Sequence, residues 1–368
     1  MKPKEKEIKK SYRAPIGPIH IALEEPVYFK LDLQGETVKG VDILSGFVHR
    51  GMEALVLRRN YLQNMIITER TCSLCSNNHP FTYILAVEKI ADITPPPRAQ
   101  YLRVIADEIK RAASHLINIS LQAHLIGFHS LMTQTMETRE ILQDIKETIW
   151  GNRMDLSANT IGGVKYDLDQ ERQKYLIKKL TQIRKPLKRV LNIFKTNSMV
   201  RLRTEGVGVI PKEDGLRLGI VGPCARGSGI NNDIRDINPY AAYPDLDFEV
   251  VLEHGCDVRS RTLVRVREVY QAINLVEQCL KKLPDGPVRT PNLPRINEGE
   301  GVARTEAPRG ELFYYVKSNG SDKPERIKWR VPTYMHWEAL TVAMPGNKLA
   351  DTAVIFNSID PCISCTER

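Results

Sequence analysis

The sequence predicts an α+β fold, mostly helical: a large helical bundle core, a small β element at the amino end, and a carboxyl-terminal segment returning to the core. Three observations predict it. Long stretches carry apolar residues at helical spacing, apolar and polar residues alternate before residue 45, and Gly, Pro and Asn gather in a few loops between. No internal repeat or linker divides the chain. We read a flexible arm at 1–12 and a single domain at 13–368, with the β element at about 14–45 and the helical body at about 46–368.

From Ile16 to Val41 the alternation runs through turn signals (GPIHIALEEP, then VYFKLDLQGETVKGV), which predicts short strands and a hairpin around Gly35. Phe47 to Arg59 has helical spacing. Pro97 to Met132 reads as one long helix, with Leu102, Ile105, Ile109, Ala112, Leu116 and Ile119 on one face. Leu168 to Asn197 reads as a second, kinked or broken at Pro186, and Asp247 to Leu283 contains a third. The segments GNRMDLSANTIGGV, PCARGSGINND and Pro284 to Pro308 read as loops. A last helix within Ala339 to Asn357 delivers the terminal IDPCISCTER.

Composition narrows the function classes. The 368 residues are 42% hydrophobic and 26% charged, ordinary for a globular protein. The net charge is +9, but apart from the first ten residues and Lys178 to Arg189 the basic residues are spread out. That distribution speaks against nucleic acid and suits an acidic partner subunit or an anionic membrane surface. The most apolar stretch, Leu116 to Met132, is interrupted by Asn118, His124 and His129, so it reads as a buried helix, and no apolar run follows the basic amino terminus. The expected location is the cytosol, or the cytoplasmic side of the membrane as a peripheral component. Seven cysteines, an odd number, argue against a disulfide framework.

Four of those cysteines carry the chemistry. Cys72 and Cys75 lie in ERTCSLCSNNHP; Cys362 and Cys365 lie in IDPCISCTER. Each Cys-x-x-Cys pair can place two sulfurs on one ion, and two pairs make a four-thiolate site. A structural zinc site is the plain alternative. Against it, the pairs are separated by nearly the whole chain, whereas zinc ribbons close small local loops. They are also flanked by polar groups that a structural site does not require: Arg70, His79 and Asp360.

Arg-x-Cys-x-x-Cys-x-x-x-His and Asp-Pro-Cys-x-x-Cys-x-x-Arg resemble the two signature motifs of nickel–iron hydrogenase large subunits. Arg368, where many hydrogenases carry histidine, resembles the membrane-associated, energy-converting branch, which is related to the quinone-site subunit of respiratory complex I. The blocks GPIHIALEEP, GFVHRGMEAL, VGPCARGSGINNDIRD, PYAAYPDLDFEV and EAPRGEL extend the resemblance over nearly the whole chain. It implies a nickel held by all four sulfurs, with Cys75 and Cys365 bridging to an iron that carries CO and cyanide, and Cys72 and Cys362 terminal. Cys362 is our first proton acceptor, because bridging ties up a sulfur's lone pairs. The resemblance also makes Glu53 the next proton carrier, its pKa moved toward neutrality by burial. Arg309 resembles a guanidinium held over the open metal position, with Asp360 its natural partner and Asp107 a weaker one. His79 is expected to bond a cysteine sulfur, a capping or core histidine being the alternative, and Arg70 to offset thiolate charge.

Cys224, Cys256 and Cys279 share no close spacing and read as packing residues, so we expect no iron–sulfur cluster in this chain. Electrons must then leave to clusters of a small-subunit partner. The resemblance further implies integral membrane subunits that translocate ions and, indirectly, ferredoxin. Two rival readings remain at this stage: a complex I-like quinone or electron-transfer subunit, and a sulfur-reducing relative with an altered metal site.

Overall fold

The computed structural model describes residues 11–154, 156–292 and 294–368. Residues 1–10 of the expected arm lie outside these, and Ser11 and Tyr12 already belong to the first strand. Strands β1 (Ser11–Ile16), β2 (Tyr28–Gln34) and β3 (Thr37–Leu44) form an antiparallel sheet in chain order, β2 and β3 turning at Gly35 as expected. Phe29, Leu31 and Leu33 point alternately from β2 into the core.

Helices α1 (Met52–Val56), α2 (Tyr61–Glu69), α3 (Asn78–Ile90), α4 (Pro97–Leu125) and α5 (His129–Trp150) follow. Two-residue strands β4 (Asn159–Thr160) and β5 (Gly163–Val164) pair within the first expected loop. Then come α6 (Gln170–Thr196), α7 (Ser198–Thr204), α8 (Lys212–Leu218), α9 (Gly222–Arg226), α10 (Ile234–Ile237) and α11 (Val258–Lys282). A second antiparallel sheet holds β6 (Glu298–Ala307), β7 (Gly310–Asn319) and β8 (Pro324–Arg330). Helices α12 (Thr333–Ala343), α13 (Thr352–Ile359) and α14 (Ile363–Glu367) complete the described chain.

Several expectations change. The helix read from Pro97 to Met132 is two helices. Gly127 (φ +83) ends α4 in a left-handed cap, with Phe128 N–H bonded to Ala123 O at 2.8 Å and Gly127 N–H to His124 O at 2.9 Å. Helix α6 runs on through Pro186, because the buried stripe Leu176, Leu180, Ile183, Leu187, Val190 and Phe194 packs on both sides of the proline. Pro284 to Pro308, read as a loop, contains the ten-residue β6, so the helical body includes a sheet. Phe47 to Arg59 holds only the five-residue α1.

The apolar core falls into two clusters. The larger joins β2 to α4, α5, α6, α11 and α13; the smaller joins α1 to α3 with the second sheet and contains the four signature cysteines. Helix α4 runs through the larger. Its buried charges knit the surrounding elements together: Arg111 bonds Glu108 at 3.1 Å and Glu306 O at 2.6 Å, and Glu108 also receives Arg235 at 3.1 Å. Arg226 pairs with Glu268 at 2.7 Å and Glu306 at 2.8 Å, and His115 meets Glu268 at 2.8 Å. Burial would raise the Glu268 pKa, but Arg226 and His115 hold it well below the ordinary range. Removing one partner from such a fully buried pair costs about 3–5 kcal/mol, so the network holds α4, α9, α11 and β6 in register.

Candidate metal centre

Cys72 and Cys75 sit in the turn between α2 and α3. The turn closes where Asn78 N–H bonds Cys75 O at 3.1 Å. Helix α4 holds this loop from below with residues one turn apart. Asp107 accepts from Asn78 Nδ2 at 2.5 Å, and Lys110 Nζ donates to Ser73 O at 2.8 Å. At the other end of the chain, Asp360 caps α13 in a left-handed conformation (φ 55), and Pro361 prevents the helix from continuing. Cys362 then precedes α14, its N–H bonded to Thr333 Oγ1 at 3.0 Å.

The two motifs converge. Cys362 Sγ lies 2.8 Å from Cys365 Sγ and 3.1 Å from Cys72 Sγ, and Cys75 and Cys365 are 3.3 Å apart. These separations exceed a disulfide bond of about 2.05 Å, and all four sulfurs fall within 4.8 Å of one another. All four cysteines are buried. Among the described residues, this is the one set of three or more His, Cys, Asp or Glu ligand atoms close enough to share an ion. Hydrogen bonds from Cys362, Cys365 and Cys72 hold the Cys75 thiol well below its usual pKa, while burial and the neighbouring thiols push Cys365 up. Four sulfurs this close cannot all ionise without a cation among them, and a soft thiolate set suits nickel and iron. The donor set therefore fits the expected centre.

Arg309 occupies the tip of the β6–β7 hairpin, where Ala307 pairs with Gly310 across a two-residue turn. Its guanidinium is buried and fully engaged: Nη2 donates to Asp360 Oδ1 at 2.7 Å, Nε to Asp360 O at 2.9 Å and Nη1 to Ser114 Oγ at 3.1 Å. Burial favours loss of its proton, but Asp360 and the thiols of Cys362, Cys75 and Cys72 keep it charged, its pKa well above the usual value. Asp107 is not its partner; that carboxylate is taken by Asn78, Tyr243 and Arg111. His79 Nε2 lies 3.2 Å from Cys365 Sγ, and its Nδ1 lies 2.7 Å from Tyr314 OH.

Two expected residues stand elsewhere. Arg70 is half exposed and pairs with Glu69 at 3.3 Å, so the cation beside the sulfurs is Arg309. Glu53 pairs with Arg368 and Lys328, each at 2.7 Å, and lines a surface cavity of about 580 Å³ that no cysteine lines. Although burial raises its pKa, Lys328 and Arg368 bring it below the ordinary glutamate value, contrary to the expected shift toward neutrality.

Glu24 and Glu25, which sequence reasoning passed over, reach the segment around Cys362. Glu25 Oε2 accepts from the N–H groups of Ile363 (2.5 Å) and Ser364 (2.9 Å), immediately after Cys362, and Oε1 from Ser364 Oγ. Glu24 is pushed up to about 7 by lost hydration and by Asp360, with Arg309 opposing. The Asn357 amide, turned with its nitrogen toward Glu24, donates to Oε1 at 2.9 Å. The only sequence signal was the acidic doublet in GPIHIALEEP, and nothing in its spacing says that it reaches residue 363.

Cys224 packs in the main apolar core, as expected. Burial raises its thiol pKa, but His336, Arg265 and Arg261 bring it down to about 7. Among the described residues no helix is long and apolar enough to cross a membrane.

Comparison with known proteins gives two family matches. Residues 126–296 and 291–368 match the family described as the respiratory-chain NADH dehydrogenase 49 kDa subunit, and residues 50–123 match the nickel-dependent hydrogenases. The chain is 54% identical to a carbon monoxide-induced hydrogenase of Rhodospirillum rubrum, covering 97% of this chain and 99% of the relative. It is 39% identical to the membrane-bound hydrogenase subunit alpha of Pyrococcus furiosus (97% and 87% covered). It is 36% identical to one subunit of the F420H2 dehydrogenase of Methanosarcina mazei (96% of each).

Proposed function

Because the chain belongs to the nickel–iron hydrogenase large subunits of the energy-converting branch, the family related to the complex I 49 kDa subunit, we propose that it is the catalytic subunit of a multisubunit hydrogenase interconverting H₂ with protons and electrons. The observation that carries this reading is the convergence of four buried cysteines under a buried, carboxylate-held arginine.

Cys72, Cys75, Cys362 and Cys365 would hold a nickel–iron centre whose iron carries CO and cyanide. The bound centre supplies the two-electron redox chemistry of H₂. The chain's own groups do the rest. Arg309, fixed by Asp360 and Ser114, presents a permanent cation where charge develops. His79 donates to Cys365 and tempers its basicity. Cys362 Sγ would take the proton, and Glu25, bonded to the next two amides, and Glu24 beside it would carry it onward. Electrons leave to iron–sulfur clusters of a small subunit, and membrane subunits use that flow to move ions, with ferredoxin as the distal carrier. The complex I-like alternative makes no use of four converging thiols.

Elemental analysis and infrared spectroscopy of the purified complex test the assignment. Nickel and iron together, with sharp bands in the CO and cyanide stretching window, are expected. Zinc alone, or no metal and no bands when the assembly factors are present, would turn the assignment to the complex I-like reading.

A pair of variants locates the proton route. Glu25→Gln is expected to keep its nickel and slow H/D exchange by about a hundredfold or more, while Glu53→Gln stays within about twofold of the parent. The reverse pattern would return Glu53 to the route.

A further inference from the structure

Helix α4 carries the chain away from the cysteine loop. Lys110, near its middle, contacts that loop, and His124 lies fourteen residues further on, about 21 Å along the axis, just before α4 ends at the turn into α5. Two exposed histidines face each other across this turn. His124 lies in the last turn of α4 and His129 in the first turn of α5. Their Nδ1 atoms are 3.3 Å apart, the ring centroids are 5.1 Å apart, and the rings are tilted by 58°.

The connection between them is firmly built. Its two cap hydrogen bonds run from Phe128 to Ala123 and from Gly127 to His124. Ile126 and Leu131 are buried in the main core on either side, and Ser120 Oγ donates to Met132 O at 3.0 Å across the hairpin. Both imidazoles thus project from a backbone whose ends are anchored, so little ordering remains to bring their nitrogens together.

We propose that His124 and His129 form a surface site for a borderline divalent transition-metal ion, distinct from the thiolate centre. Neutral imidazole is a preferred ligand for zinc, nickel and copper. With metal–nitrogen distances of about 2.0–2.1 Å and a tetrahedral angle, two ligating nitrogens lie about 3.3–3.4 Å apart, the separation this pair already has. In that geometry each metal–nitrogen bond makes an angle of roughly 35° with the nitrogen–nitrogen line. The pair supplies two ligands, and the exposed setting leaves the other positions to water or to a donor on a partner. Zinc fits this bite without strain; square-planar coordination would draw the nitrogens to about 2.9 Å.

Zinc titration tests the site, using the full complex with its thiolate centre already loaded so that the signature cysteines cannot take the probe. The parent is expected to bind one zinc more than either His124→Asn or His129→Asn. X-ray absorption of that added zinc should show two imidazole nitrogens at about 2.0 Å. H₂ turnover should be the same in parent and variants, since neither histidine belongs to the catalytic machinery. Equal zinc uptake by parent and both variants would overturn the proposal. So would loss in only one variant, which would place the ion on that histidine and some other donor.

Discussion

Cys362→Ser is expected to leave the chain folded but without nickel, its content falling below about a tenth of the parent's and H₂ turnover becoming undetectable. A serine hydroxyl does not ionise at neutral pH and is a hard donor, so the four-sulfur set is broken at the atom that touches both neighbours: Cys365 at 2.8 Å and Cys72 at 3.1 Å. Thr333 still bonds the backbone at residue 362, and Glu25 still holds the next two amides, so the segment keeps its place. Nickel by mass spectrometry and H₂ uptake are the measurements. Full nickel with full turnover would remove Cys362 from the centre.

Arg309→Lys separates metal binding from catalysis. The guanidinium uses three nitrogens in three directions, two on Asp360 and one on Ser114. An ammonium on a flexible stem cannot reproduce that fork, so the charge is kept but its position is lost. Removing one positioned donor of this kind costs about 10²–10³ in turnover, and that loss is expected here with nickel and iron unchanged. Metal loss in step with activity would instead make Arg309 a structural clamp on Asp360. Unchanged turnover would show that the cation is not used.

What the sequence revealed and what it hid follow from the range of the forces involved. The Gly35 hairpin and the long amphipathic helices are local, and their periodicity is written in adjacent residues. The cysteines were legible because a thiolate pair needs a short, recognisable spacing. Strand β6 was hidden. Its sequence, EGEGVARTEA, is poor in β-branched residues, and a Cβ at Gly301 would meet Ala86 O of α3 at 2.1 Å, so a helix backbone packs where a strand former would stand. Gly127 was visible but outweighed by the apolar period that continues past it. The buried charges were hidden altogether. Arg103, Arg111, Arg226, Arg261 and Arg265 count toward the +9, yet they lie in the interior. Glu53 is singled out by the resemblance of its block, while the approach of residue 25 to residue 363 is made only by the tertiary fold.

The wide separation of the two motifs has a consequence for how the protein is made. Cys72 and Cys362 meet across 290 residues, as do Cys75 and Cys365. An ion joining such pairs is a cross-link closing a very long loop, and in the chain-entropy picture a covalent bridge of that span lowers the freedom of the unfolded chain by roughly 5–6 kcal/mol. The second pair of ligands also leaves the ribosome long after the first. The first pair has only half of the four-sulfur set until residues 362–365 close over it like the last stitch in a seam. An ion bound by both pairs would therefore clamp the terminal segment far more tightly than Thr333 and Glu25 hold it alone, and the segment beyond Asp360 is the seam's opening.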